Sequence, residues 1–141
     1  MRLSRKSDYA LRAVRHLSNL EKGRLGSINS IAEAESVPRE FLAKILKDLT
    51  RSNVLVSYQG VTGGYRIARP AREISFLDVI EAIDGPIHLN LCTEESGLGG
   101  VCRCDRGQDC SMRSFWQVQE KAFKKNLGKE HFAKYRNSRK R

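Results

Sequence analysis

The chain has no apolar run near the roughly 18 residues needed to cross a bilayer. The basic start Arg2-Leu3-Ser4-Arg5-Lys6 has no apolar stretch behind it, which excludes a secretory signal of the usual kind. A cytoplasmic protein without membrane contact is therefore expected. A nucleotide-cradling loop is also missing. Gly60-Val61-Thr62-Gly63-Gly64 lacks the lysine of a phosphate-binding loop and lies between strand-forming segments. His16, His88 and His131 have no convincing nucleophile partner, so nothing points to an enzyme. Cysteine is absent before position 92, and all four cysteines then fall in one stretch: Cys92, Cys102, Cys104 and Cys110. That distribution argues against ordinary core cysteines, and in a reducing compartment it argues against a disulfide framework.

Charge is abundant but uneven. Residues 1–70 hold 13 basic and 6 acidic groups, residues 71–128 hold 7 and 9, and residues 129–141 hold 6 and 1. A basic first half ahead of a near-neutral second half suggests that the first half meets a polyanion, nucleic acid being the usual one. The competing reading is a soluble basic surface.

The periodicity of the first half supports the nucleic-acid reading. Ala10, Ala13, Val14, Leu17 and Leu20 recur at helical spacing over residues 5–20, with Ser7 or Asp8 as the expected cap. Gly23 and Gly26 mark the exit. A short helix opens at Ser27 with Ile28, Ile31 and Ala32 on one face, and Val37-Pro38 breaks it. A second helix runs from Pro38 to about Ser52, its buried stripe expected at Phe41, Leu42, Ile45, Leu46 and Leu49. Two helices joined by a tight break make a helix-turn-helix pattern. The strand formers 54–58, the turn 59–64 and the strand 65–68 then form a hairpin, the wing of a winged helix. Another helix is expected over 74–83, with Phe76 or Leu77, Ile80 and Ile83 inward, and Gly85-Pro86 closes it.

The expected architecture is mainly α with a small β-hairpin: a winged helix-turn-helix plus a long C-terminal dimerisation helix. It divides into a DNA-binding domain at 1–85, a cysteine-rich loop at 86–110, the dimerisation helix at 111–128 and a basic, mobile tail at 129–141. Met112, Phe115, Trp116, Gln119, Ala122, Phe123 and Leu127 form the stripe of the last helix. A symmetric DNA reader needs two heads, so a homodimer is expected.

Two constellations carry the chemistry. On the DNA-reading surface, Arg39 suits guanine and Glu40 suits the cytosine amine. Arg2, Lys44, Lys47 and Arg51 suit phosphates, while Gln59 and Gly60 at the wing tip suit backbone or minor groove. The second constellation is the cysteine cluster. Thiolates suit zinc, copper(I) and iron–sulfur centres. The gaps of nine, one and five residues depart from the paired spacing of structural zinc sites. An iron–sulfur cluster, zinc, a thiol–disulfide switch and unligated thiols are all readings of these four residues. In an alternative class, a zinc-stapled adaptor would bind a protein partner through the last helix.

The whole pattern resembles the Rrf-type winged-helix transcriptional regulators, the IscR-, NsrR- and RirA-like iron–sulfur regulators. The resemblance is carried by Met1-Arg2-Leu3-Ser4 with Asp8-Tyr9-Ala10-Leu11-Arg12, and by Ile31-Ala32, Val37-Pro38 and Phe41-Leu42 with Ile45 and Leu46. It continues in Gly60-Val61-Thr62-Gly63-Gly64-Tyr65, then Asp78-Val79-Ile80 and Ala82-Ile83-Asp84-Gly85. It implies a homodimer held by the last helix, double-stranded operator DNA as partner, and a two-iron or four-iron cluster whose state sets DNA affinity. Cluster binders of this family use three loop cysteines, the last two separated by five residues. Cys104 and Cys110 fit that spacing, Cys92 takes the first place across a longer gap, and Cys102 is extra. Arg113 stands where some members have a histidine ligand, and Asp8 where others use an acidic ligand from the partner subunit. Either Cys102 or Asp8 is thus the candidate fourth ligand, with a plain helix cap as the other reading of Asp8. Ala43 stands where some members have a base-reading glutamate, so target specificity does not carry over.

Overall fold

A computed structural model of the chain describes residues 2–94 and 110–136. Helix α1 (Arg5–Ser18) is followed by α2 (Ile28–Glu35), α3 (Arg39–Arg51), strands β1 (Leu55–Tyr58) and β2 (Gly64–Ile67), α4 (Phe76–Asp84) and α5 (Arg113–Lys129). The chain folds as two compact units, Met1–Gly85 with Gly128–Arg141, and Pro86–Leu127. No helix among the described residues is long and apolar enough to cross a membrane.

In the first unit, α1 packs on α3 and α4. Ala10, Ala13, Val14 and Leu17 of α1 meet Ile31 of α2 and Leu42, Ile45, Leu46 and Leu49 of α3 in one buried cluster. Each buried Leu or Ile stabilises by about 1.5–3 kcal/mol. The cap of α1 differs from expectation. Ser4 is the cap, accepting the Ser7 backbone N–H at 3.0 Å. Ser7 lies inside the helix, buried, and its hydroxyl donates to Asp84 at 2.6 Å. Asp8 is therefore free of the capping role and pairs with Arg12 one turn on, at 2.7 Å.

The sharp turn between α2 and α3 is made by Ser36 in the left-handed region (φ 53°), with the Val37 N–H donating to the Ala32 carbonyl at 3.0 Å. This closes the last turn of α2 and leaves Pro38 ahead of α3, where its missing N–H costs nothing. The exit of α3 uses Asn53 at φ 58°, a residue that tolerates this conformation.

The wing is an antiparallel hairpin with Leu55 opposite Ile67 and Tyr58 opposite Gly64. It is tied back by a bridge between Gly26 and Tyr65, their amides and carbonyls paired at 2.9 and 2.8 Å. A Cβ on Gly64 would stand 2.6 Å from the Gly26 carbonyl oxygen, so only glycine fits there.

Helix α4 starts two residues later than the sequence suggests, because Ser75 and Asp78 form a capping box, with bonds of 3.1 and 2.8 Å. Ile74 is instead extended and buried, and its carbonyl accepts the Phe132 N–H at 3.3 Å. The basic tail expected from Lys129 is thus corrected over its described part. Phe132 is only 2% exposed and joins the core, its ring 4.9 Å from Phe76. Residues 137–141 of that tail lie outside the described residues.

Candidate nucleic-acid interface and cysteine-bearing unit

Helix α3 turns Leu42, Ile45, Leu46 and Leu49 inward, which leaves Arg39, Glu40, Ala43, Lys44, Lys47 and Arg51 exposed. Phe41 is a correction: it is 54% exposed and not part of the buried stripe. At 100° per residue it stands about 90° from the centre of that stripe, on its rim. Arg39 does not point freely outward, since its Nε donates to Asn29 Oδ1 of α2 at 2.8 Å. A shallow cleft of about 310 Å3 runs between the start of α2, Arg39 and the wing strands. Ser27 caps α2 beside it, so helix-terminal amides and a guanidinium share this cleft with no acidic residue in its lining. Such a surface favours anions.

At the wing tip Gln59 and Gly60 are exposed, Gly60 at φ 115° with open space around it. Of the other wing glycines, Gly63 abuts the Tyr58 carbonyl within the hairpin and Gly64 the carbonyl of Gly26, ahead of α2. Arg2 is exposed ahead of α1. Two features escape a linear reading. Arg66 lies over the Tyr58 ring at 4.9 Å, a pairing across the strands. A basic groove of about 750 Å3 gathers Lys22, Arg24, Arg66, Arg72 and Arg136 from segments far apart in sequence. The diagonal of the hairpin register signals the first pair, while the groove has no local signal.

In the second unit, residues 91–93 are not plain loop. Asn90 caps a short 3-10 turn, Leu91–Thr93, its side chain accepting the Leu91 N–H at 2.8 Å. Cys92 sits in that turn, 7% exposed. Cys110 is partly exposed just ahead of α5, and its carbonyl accepts the Arg113 N–H at 3.1 Å. Cys102 and Cys104 lie outside the described residues.

The carboxylate of Glu120 on α5 faces the cysteine-bearing turn. It accepts the Leu89 N–H at 3.0 Å and stands 3.6 Å from His88 and 3.8 Å from Lys124. The Thr93 hydroxyl, which donates to the Asn90 carbonyl at 2.7 Å, also stands beside it. Burial alone pushes this carboxyl up. The Thr93 hydroxyl and the Leu89 N–H, with Lys124 and His88 nearby, outweigh that and hold it below the usual carboxylate value. Asp8 belongs to the first unit, where it lines a cleft of about 300 Å3 with Arg15, Phe76, Phe132 and Tyr135.

Two helices, a left-handed turn and an antiparallel wing with a basic outer face define a winged helix-turn-helix protein, the class that reads duplex DNA. The Rrf2 model, described as an iron-dependent transcriptional regulator, matches residues 3–135, and the chain belongs to the Rrf2 family. This is a family of transcriptional regulators, not of enzymes. Rv1287 of Mycobacterium tuberculosis (strain H37Rv), named as an HTH-type transcriptional regulator, is 40% identical over 101 residues, 72% of this chain. The chain spans 61% of that relative's length. Among solved structures, the global cysteine regulator CymR of B. subtilis superposes with a TM-score of 0.75 at 20% identity, covering 96% of this chain and 95% of that one. T. potens IscR superposes with a TM-score of 0.73 at 21% identity, covering 96% and 85%. These likenesses establish the fold.

Proposed function

We propose that the chain regulates transcription by binding double-stranded operator DNA as a homodimer, with an affinity set by a cysteine-ligated iron–sulfur cluster that senses iron–sulfur, nitric-oxide or redox state. The observation that carries the DNA reading is the exposed face of α3, with Lys44, Lys47 and Arg51, beside the anion-favouring cleft that leads to the wing. Arg39 and Glu40 meet base edges from the first turn of α3. Lys44, Lys47, Arg51 and Arg2 neutralise phosphates, and Gln59 with Gly60 approaches backbone or minor groove.

The cysteine donors fit a soft-metal centre. Cys92 and Cys110 are free thiols of one compact unit, at the two ends of the stretch that also holds Cys102 and Cys104. One turn beyond Cys110, the Arg113 Nε is buried without a hydrogen-bond partner among the described residues, a donor open to an anionic sulfur centre. Cys92, Cys104 and Cys110 are the proposed ligands, with Cys102 or Asp8 as the fourth. When bound, an iron–sulfur centre supplies a group whose charge and integrity respond to oxidant, nitric oxide and iron supply. The chain's own part is to hold thiolates, with Cys92 fixed in its capped turn and Cys110 at the head of α5, and to present the α3 face to DNA.

Two measurements test this reading. Protein purified without oxygen should be brown, with iron and sulfide in stoichiometric amounts. Colourless protein that takes up no iron on anaerobic reconstitution would move the cysteines to zinc or to a thiol–disulfide switch. Duplexes selected from random sequence should bind, and the double variant Lys44→Ala/Lys47→Ala should reduce the slope of log affinity against log salt by about 2. An unchanged slope would remove these lysines from the interface.

A further inference from the structure

We propose that Glu120 is a positioning residue for Cys92: its carboxylate clamps the cysteine-bearing turn onto α5 and thereby fixes where the thiol stands. The inference deepens the cluster reading and rests on Cys92 being a ligand, yet its geometry is independent of any metal. Four groups of the 88–93 segment and of α5 converge on this one carboxylate. The Leu89 N–H donates to Oε2 at 3.0 Å, Thr93 lines the same shallow space, His88 lies 3.6 Å away and Lys124 3.8 Å away. Leu89 and Thr93 flank Cys92 on both sides, so the carboxylate holds the turn at its entry through the Leu89 N–H and stands beside its exit at Thr93.

The turn is a 3-10 turn of three residues shaped by local bonds: the Asn90 side chain accepts the Leu91 N–H, the Thr93 hydroxyl and amide both donate to the Asn90 carbonyl, and the Glu94 N–H donates to the Leu91 carbonyl. Bonds within a turn fix its shape and not where it stands. Glu120, 31 positions from Leu89 and on a helix, ties the turn to α5. Its side chain is only 12% exposed, so the bonds to it are shielded from water and from salt. Cys92, in this turn, is 7% exposed. The clamp also joins the cysteine stretch mechanically to α5, so a shift at Cys92 and a shift of this helix are coupled through Glu120.

Lys121 and Lys124 line the shallow space beside Glu120 and Thr93, which makes the carboxylate the one acidic group in that lining. Removing its charge leaves the Leu89 N–H with no anionic acceptor. Replacing it with glutamine keeps an acceptor oxygen of the same reach.

The test uses the full-length protein in its metal-free form, reduced, and reads alkylation of each cysteine by iodoacetamide with peptide mapping. In the wild type Cys92 should react more slowly than Cys110. In Glu120→Ala, Cys92 should react about tenfold faster or more, as local opening of the turn becomes easier, while Cys110 and the thermal midpoint of the first unit stay put. Glu120→Gln should restore most of the protection. Anaerobic reconstitution then follows, with iron and sulfide counted: Glu120→Ala should load less than wild type and Glu120→Gln close to it. Cys92 alkylating at the wild-type rate in Glu120→Ala would overturn the clamp. A wild type that takes up no iron, but whose Cys92 responds to Glu120→Ala as expected, would overturn the cluster reading and leave the clamp standing.

Discussion

Phe132 shows how much one side chain can do in an otherwise unpatterned stretch. It is the sole large apolar residue of the run Glu130-His131-Phe132-Ala133-Lys134, and it closes the core between α1 and α4, stacked at a tilt on Phe76. Truncating a buried phenylalanine costs about 3–5 kcal/mol. Phe132→Ala should therefore lower the urea midpoint of the chain with an unchanged slope, read by circular dichroism. An unaffected midpoint would mean that the segment packs loosely. Phe132 and Phe41 are also where sequence reading goes astray, in opposite directions. The burial of Phe132 depends on Ile74 and Phe76, more than fifty positions earlier, and no local period reports a contact of that separation. Phe41 follows the helical period closely enough to look buried, yet stands on the rim of the stripe. Ser4 displaces Ser7 and Asp8 as cap for a similar reason: three candidate oxygens stand close together, and the pull of Asp84 on both Ser4 and Ser7 decides among them.

At the scale of elements, the link between the 88–93 segment and α5 is a titratable one. Glu120 is held below the ordinary carboxylate value of 4.5 in the folded chain. A depressed folded value contributes stability above the unfolded value, and that stability is lost as the pH falls through the folded one. His88, Lys121 and Lys124 are the charged groups around it. The Leu89 amide should accordingly lose hydrogen-exchange protection below about pH 4.5, and Glu120→Gln should remove that pH dependence. Protection independent of pH in the wild type would contradict the assignment. None of this element pairing was legible in the sequence, where residues 86–110 read as one loop. The helix-turn-helix and the wing were legible, because apolar periods, Pro38 and the turn glycines Gly60 and Gly63 act over short separations. The cysteine stretch stands out in the sequence by its spacing alone, whereas the turn that holds Cys92 depends on a partner on α5.

On the scale of the whole molecule, Met112 just ahead of α5 and Phe115 and Val118 on it are 63%, 56% and 61% exposed, a row of large apolar side chains at helical spacing. In the proposed homodimer a second copy covers this row, which brings two α3 faces to one duplex. Phe115→Glu should then shift the protein from dimer to monomer in sedimentation velocity and weaken duplex binding at least about tenfold, since half-site binding alone remains. A wild type that sediments as a monomer would remove the basis for two-headed recognition. The exposed row carries Val118 in addition to the expected stripe, and Trp116, Phe123 and Leu127 turn half inward. The helix was thus legible as an element, and its open side in part: Met112 and Phe115 lie in the expected stripe, Val118 does not.

The central claim is that the state of the cysteine-bearing unit sets the affinity of α3 and the wing for DNA. The most direct measurement is the affinity of one selected duplex for cluster-loaded and for cluster-free protein, by fluorescence anisotropy at matched salt and without oxygen. A coupling of about 1–3 kcal/mol, a change of about five- to 150-fold, is the predicted result. Equal affinities for the two forms, with the loaded form shown by its iron and sulfide content to be loaded, would contradict the account.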